Sequence, residues 1–417
     1  MAAVAGLRGT GDWGTDERPK DFRESILFFS PNGDAPIFGL TSKAGKKSVT
    51  DPEFGWWAEA NNLFRIQAAG AIGAADTTLV VDSVDPTSTT MTSLYGTASH
   101  LKHGDLLLVE KADQTAFDNE IVMVDVVMSD TSLTILRGQA GTTAATIADD
   151  AFLTLIGSAY AEGTAAPRAT SKNPVKFTNF IQIFKDSYEI TGTADKTEAR
   201  TGSAWSNDKK RKSFKHSADI EWSIMFGRKS EQTGSNGKPL RFMGGLREMI
   251  PQATPANGGR TTVFGSAVSA TSFADAVAPV FDFDLGGGDT RIAFMGNKAR
   301  TEMGKVIQGT TGIRMEMGNV IKMYGINFQE FIMPMGRLLL KSHPLLSRHP
   351  RYQSSMFVLD FSSIKYVSMK GRPDGKFKDD VQNDDEDVRR GYVQTDCSLM
   401  LDGGGLSNAY VGNISAT

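Results

Sequence analysis

The sequence is short of almost everything that marks an enzyme, a secreted protein or a membrane protein. A single cysteine, Cys397, excludes an internal disulfide and a zinc site built on thiolates. Histidine is scarce as well, five in 417 residues, and none stands at a recognisable spacing from a nucleophile. Long apolar runs are missing. MAAVAGLRGTGDW has no segment of signal-peptide length and nothing later approaches a membrane span, so a protein of the cytosol is expected. Nor does charge of one sign dominate: the formal net charge is −3, which argues against a chain whose main task is neutralising phosphates. No repeat of solenoid period is visible.

The residues that could carry chemistry are scattered. His100 and His103 stand three apart with Asp105 nearby, but three close neighbours without a distant fourth ligand make a poor metal site. His343 and His349, each beside a proline, read as loop residues between strands rather than general bases. AGKKS at 44–48 lacks the strand and glycine spacing of a phosphate loop. The triple glycines at 286–288 and 403–405 read as turns. Ser158 lacks the GxSxG setting of a nucleophile elbow. Asp379, Asp380, Asp384, Asp385, Glu386 and Asp387 lack the ligand alternation of a calcium loop and read as hydrated. No catalytic residue, metal ligand or cofactor is expected.

What is present points to a large folded body. Hydrophobic residues make up 40% and charged residues 22%, enough for two or three compact units with a sizeable core. NPVKFTNFIQIFKDSYEITGTAD, from Asn173, reads as one long strand with Phe177, Phe180, Ile181, Ile183, Phe184, Tyr188 and Ile190 spread over both faces. DPEFGWWAEANNLFRI, from Asp51, sets Trp56 beside Trp57 and so on opposite faces. The two segments read as the outgoing and returning strands of one long hairpin. Two arrangements would cover such aromatics: packing between copies of the chain, or packing on its own domains. Between them TTLVVDSV, GDLLLVE, NEIVMVDVVM and SLTILRG predict a small all-β module inserted at the hairpin tip. Residues 1–50 carry one apolar knot, Ile26-Leu27-Phe28-Phe29, and cannot form a core alone; they are mobile or lie along another surface.

From Ser203, the N-cap, a proline-free stretch to about Arg228 predicts a helix about 40 Å long. Phe214, Ala218, Trp222 and Met225 form its apolar stripe, widened by Ile220 and Ile224. Lys209, Lys210, Arg211, Lys212 and Lys215 lie on its early turns and suit either nucleic-acid contact or pairing with Asp208, Asp219 and Glu221. Beyond 240, helices at TSFADAVAPVFDFD (cap Ser272) and NKARTEMGKVIQG alternate with strands RIAFMG, IRMEMG, KMYGINFQEFIMPMG, RLLLKS, MFVLDF, IKYVSM, YVQTDCSLML and AYVGNIS. The fold class is α+β, with sheet dominating the end of the chain.

This order of arm, hairpin, long helix, mixed domain and sheet-rich end resembles the major capsid proteins of tailed phages and herpesviruses, with their HK-ninety-seven-like fold. FTNFIQIFKDSYEITGTADKTEARTGS before a helix ending MFGR looks like the SU-ten-type subfamily of major head proteins. SLTILRGQAGTTAATIADDAFLTLIGSAYAEG is similar to a T-x-x-R-G-x-x-G-T-T-A-A pattern that such chains carry at the same place.

The resemblance implies an N-terminal arm over 1–50, E-loop strands over 51–69 and 163–192, and an all-β domain inserted in the E-loop over 70–162. It further implies a spine helix of the P-domain over 193–244, an A-domain over 245–345 and return strands of the P-domain over 346–417. The implied function is not enzymatic: the chain self-assembles as hexamers and pentamers into an icosahedral head shell. Implied partners are further copies, a portal protein, separate scaffolding and cement or decoration proteins, and packaged double-stranded DNA held without sequence specificity; no membrane is involved. The implied location is the virion, after assembly in the host cytoplasm. Subunit-interface residues are expected among Phe28, Phe29, Trp56, Trp57, Phe64, Phe177, Phe180, Phe184, Tyr188, Arg211 and Trp222. The short N-terminal zone suggests a separate scaffold and no extensive N-terminal cleavage. Two rivals are a tail fibre or other surface-binding β-rich structural protein, forming elongated trimers, and a hydrolase sensitive to single histidine replacements.

Overall fold

The computed structural model describes Ile37, Gly39 and residues 45–59, 65–82, 97–110, 120–169, 174–198, 202–254, 259–286, 288–309, 316–323 and 326–415, with backbone alone at 307–309, 316–323 and 326. After β1 (Lys46–Val49), the chain forms β2 (Glu53–Ala58), whose buried Phe54 and Trp56 alternate with exposed Gly55 and Trp57. Short β-branched and leucine-rich runs follow as β3 (Arg65–Gln67), β4 (Thr78–Val80), β5 (Asp105–Val109), β6 (Ile121–Ser129), β7 (Ser132–Gln139) and β8 (Phe152–Ser158). These six pair in the order β3-β8-β5-β6-β7-β4, antiparallel throughout, around Ile66, Leu79, Leu107, Val122, Val124, Leu133 and Leu153. β3 pairs with β8, so the six-stranded sheet starts at Arg65.

The single long strand expected after Asn173 is two strands. β9 (Val175–Phe180) pairs with β2 and completes a two-stranded ribbon, while β10 (Gln182–Thr191) joins a different sheet. The break falls at Ile181, whose N–H bonds to Pro52 at 2.8 Å. Two apolar faces in one segment here mean two successive packing partners.

α1 (Gly192–Lys196) precedes α2 (Ala204–Phe226), a helix of about 35 Å. Ser203 caps α2 as expected, accepting from the Ser206 N–H. Its deeply buried line runs through His216, Ile220, Glu221, Ile224 and Met225, so the stripe turns away from Phe214 and Ala218 and admits two polar groups. A small ribbon, β11 (Ser230–Thr233) with β12 (Pro239–Phe242), and α3 (Leu246–Met249) follow.

The remaining elements are β13 (Thr261–Val263), α4 (Ala270–Val277), β14 (Thr290–Met295), α5 (Asn297–Gly309), β15 (Glu316–Met323), β16 (Ile326–Met333), β17 (Gly336–Ser342), α6 (Pro344–Arg348), β18 (Met356–Leu359), β19 (Ile364–Met369), β20 (Lys376–Lys378), β21 (Val388–Leu401) and β22 (Ala409–Gly412). The cap of α4 is Ser269, three residues before the expected Ser272, and the two serines close a reciprocal capping box. His343 and His349 flank α6 as its N-cap and C-cap, so they end a short helix rather than join strands.

Two sheets organise this half. The first runs β1-β19-β21-β10, with β20 on β21 and α2 packed across β10. The second has seven strands, β13-β22-β18-β14-β17-β16-β15. The segment 346–417 is thus divided: β19, β20 and β21 return to the first sheet, whereas β18 and β22 complete the second. One apolar core spans both, from Ile220, Ile224 and Met225 of α2 to Phe294, Phe328 and Phe357 of the seven-stranded sheet.

Candidate assembly surfaces

The β2–β9 ribbon has one closed face and one open face. Trp56, 7% exposed, lies between Phe54 and Phe177, each ring centroid 6.0 Å away, and its Nε1–H donates to the Leu401 carbonyl at 3.1 Å. Phe54, Trp56 and Ile181 pack on Val367 and Met400 of the first sheet. Trp57 points the other way, 64% exposed, with the Lys176 ammonium 5.9 Å above its ring. Of the two neighbouring tryptophans, one anchors the ribbon to its own chain and one is presented outward.

The other aromatics expected between copies are mostly covered from within. Phe180, Phe184 and Tyr188 are buried, and Phe177 is half-buried against Trp56. Phe184 meets the edge of His216, and Tyr188 meets Trp205 with centroids 4.7 Å apart. β10 joins a different sheet from β9 and lies against α2, which covers these rings within the chain. Trp222 is half-buried against Phe226 and His349, while Arg211 is exposed beside Asp208. Phe28, Phe29 and Phe64 lie outside the described residues, as does nearly all of the arm. Of the basic loop at 44–48, Lys46 and Lys47 are exposed in β1.

Polar groups invisible to apolar periodicity hold this arrangement. Fully buried Asn179 donates to the carbonyls of Gly244 and Leu399 at 3.1 and 2.8 Å, and its Oδ1 accepts from the Gly244 N–H at 2.8 Å. It ties the ribbon base to the segment after α2 and to β21. Asp186 bonds both Lys215 and His216, at 2.9 and 3.0 Å. Burial alone would push its carboxyl up, but those two partners outweigh it and hold it below the usual carboxylate range. The other His216 nitrogen lies 2.8 Å from Thr395 Oγ1. Asp186, His216 and Thr395 follow the order of a hydrolytic triad, but the Thr395 hydroxyl is buried and already accepts from the Gly375 N–H. Cys397, on the same strand, is sealed in the core, and burial pushes its thiol up to about 12.

The module has its own buried ion pair. Arg137 meets Glu120 through two bonds of 2.8 and 2.7 Å. Glu120 also accepts from the N–H groups of Gly138 and Ala145, and Arg137 donates to the carbonyls of Gly73, Asp76 and Ala145. The RGQAGTTAA stretch is therefore the end of β7 and the loop after it, stapled to the module by the arginine. Burial raises the Glu120 carboxyl, and Arg137 with the backbone N–H groups brings it below its ordinary value.

Among the described residues no group of three or more metal-ligating side chains converges. His103 instead bonds the Asp125 carbonyl at 2.8 Å. In the acidic loop, Asp379 pairs with Lys209, Asp380 with Arg389 and Glu386 with Arg390. Lys209 and Lys215 of the basic run are likewise ion-paired.

This geometry is scaffolding: anchored strands, a braced helix, a separate module and an outward tryptophan, with buried polar groups spent on structure. The chain belongs to the SU10 major capsid protein family, whose pattern it matches over residues 7–403. It is 28% identical over 379 residues to the major capsid protein of Pseudomonas phage PaMx41, covering 89% of this chain and 84% of that one. Among solved structures it is similar to the capsid of a native GTA particle, at 8% identity, TM-score 0.47 and 99% and 100% of the two chains. The cyanophage A-1(L) capsid is another, at 9% identity, TM-score 0.43 and 96% and 98% coverage. The chain is thus a major capsid protein of that family, an α+β component of the virion's capsid and not an enzyme.

Proposed function

We propose that the shell is tiled by hexamers and pentamers, and that the β2–β9 ribbon is the E-loop through which neighbouring copies grip one another. The observation carrying this is Trp57, a large aromatic left 64% exposed on a ribbon whose opposite face is fixed to its own chain. Covering such a ring with a second copy contributes about 1.5–3 kcal/mol, less the cost of ordering. A closed lattice repeats that contact in every subunit, so no single interface has to be tight.

In this reading the body around α2 and the first sheet is the P-domain, and the seven-stranded sheet with α4 and α5 is the A-domain. The module from Arg65 to Ser158 decorates the outer surface. Double-stranded DNA is enclosed without base recognition, a portal occupies one vertex, scaffold and cement are separate proteins, and assembly takes place in the host cytoplasm.

Negative-stain imaging of the purified chain, alone and as Trp57→Ser, tests the arrangement. Closed shells or rings are expected from the parent chain, with a marked loss in the variant. Equal shell formation by both would remove the role given to the ribbon, and elongated trimers from the parent would favour the fibre reading.

A further inference from the structure

Beside the junction of β14 with α5 and β17 with α6, the structure holds a half-open cavity of about 710 Å³. That volume lies in the range of small-ligand sites, roughly 300–1,000 Å³. β14 and β17 are parallel, so the helices following them, α5 and α6, leave from the same end of the sheet. A crevice at the carboxyl ends of parallel strands is a recurrent place for ligands.

The lining is cationic. Arg300 from α5, Lys341 from β17 and Arg348 from α6 all contribute, and among the described residues no carboxylate does. Arg300 is held in place, its guanidinium donating to Ser342 Oγ at 3.2 Å and to Gln329 Oε1 at 2.6 Å. Lys341 and Arg348 have no ion-pair partner among the described residues. Three cations around one concavity repel one another, and the amide of Asn297 and the hydroxyl of Ser347 add neutral hydrogen-bonding groups to the rim.

We infer that this cavity is a phosphate-binding site, taking either a free phosphate-type anion or a phosphate of a nucleic-acid backbone. Guanidinium groups match phosphate oxygens in geometry, and an ammonium adds a point charge. The inference stands apart from the tiling of the shell, since it requires only the folded chain.

The test uses the full-length protein with Lys341→Gln/Arg348→Gln, and with Lys378→Gln as a surface control. Pyrophosphate and a mixed-sequence DNA duplex are titrated separately, with chloride at matched ionic strength as reference. Binding is read by calorimetry and by the change in melting temperature. If the cavity is a phosphate site, the double variant weakens binding of at least one probe by about tenfold or more, and the control leaves it unchanged. Response to pyrophosphate alone assigns a free anion, whereas a variant-sensitive response to the duplex assigns the backbone. Arg300→Lys gives a second reading: it keeps the charge, loses the fork and weakens binding less than the double variant. The inference is overturned if neither probe acts beyond chloride, or if the double variant binds both as the parent does.

Discussion

His343 Nε2 lies 2.6 Å from Glu221 Oε1, with neither side chain exposed to solvent. The His343 Nδ1 accepts from the Leu346 N–H, so the ring proton sits on Nε2 and is donated to Glu221. The same carboxylate oxygen accepts from the Ile37 N–H at 2.9 Å. One carboxylate on α2 thus fixes the start of α6 and Ile37, a residue within the N-terminal segment 1–50.

Replacing Glu221 with alanine strands two buried donors. A loss of about 3–5 kcal/mol is expected, as for other buried pairs deprived of one partner. Glu221→Gln keeps a carbonyl oxygen in place and should lose clearly less. Urea midpoints of the unassembled chain measure both, and equal midpoints for alanine and parent would refute the arrangement.

Asn179→Ala removes both donors and the acceptor that hold the ribbon base. With about 1–3 kcal/mol at stake for each buried group left unpaired, a drop of several kcal/mol is expected. Hydrogen exchange should quicken first in 175–180 and in Gly244. Quickening confined to the module would contradict the role given to Asn179.

Glu120 carries a sign that can be worked through. Its folded value is depressed by Arg137, so its contribution is fully present above the unfolded value and is lost as pH falls through the folded one. Protection of module amides should therefore decline on acidification below the ordinary glutamate range, and Arg137→Met should flatten that decline. Hydrogen exchange over 65–158 reads it directly, and an unchanged acid profile in the variant would rule it out.

The two adjacent tryptophans give opposite expectations. Trp56→Ala empties a buried stacked site and should cost the subunit about 3–5 kcal/mol. Trp57→Ser should leave subunit stability within about 0.5 kcal/mol, the usual range for surface changes. Denaturant unfolding of the two variants separates them, and a large loss from Trp57→Ser would mean that its ring is covered within the subunit.

Periodicity and local signals carried much of the fold. The Ser203 cap, the proline-free helix, the RIAFMG strand and the β-rich insertion were all readable, because each depends on neighbours in sequence. What covers an apolar face does not depend on neighbours in sequence. Phe180 and Phe184 look alike in the sequence, and only the change of strand partner after Phe180 assigns them to successive sheets. Likewise, Asn179, His216 and Glu221 stand in apolar surroundings without any local sign of their partners, which lie 65 to 220, 30 to 179 and 122 to 184 residues away. Nothing in the sequence separates Trp56 from Trp57; the burial of Trp56 rests on a distant carbonyl at Leu401.

The pairing of β3 with β8 has a practical meaning for anyone wishing to redesign the particle. Arg65 faces Thr154 across an antiparallel ladder, so the first strand of the insertion lies directly beside its last, with the two backbones about 5 Å apart. A foreign domain whose first and last strands pair in the same way, an enzyme or an epitope carrier, is therefore the natural replacement for the module.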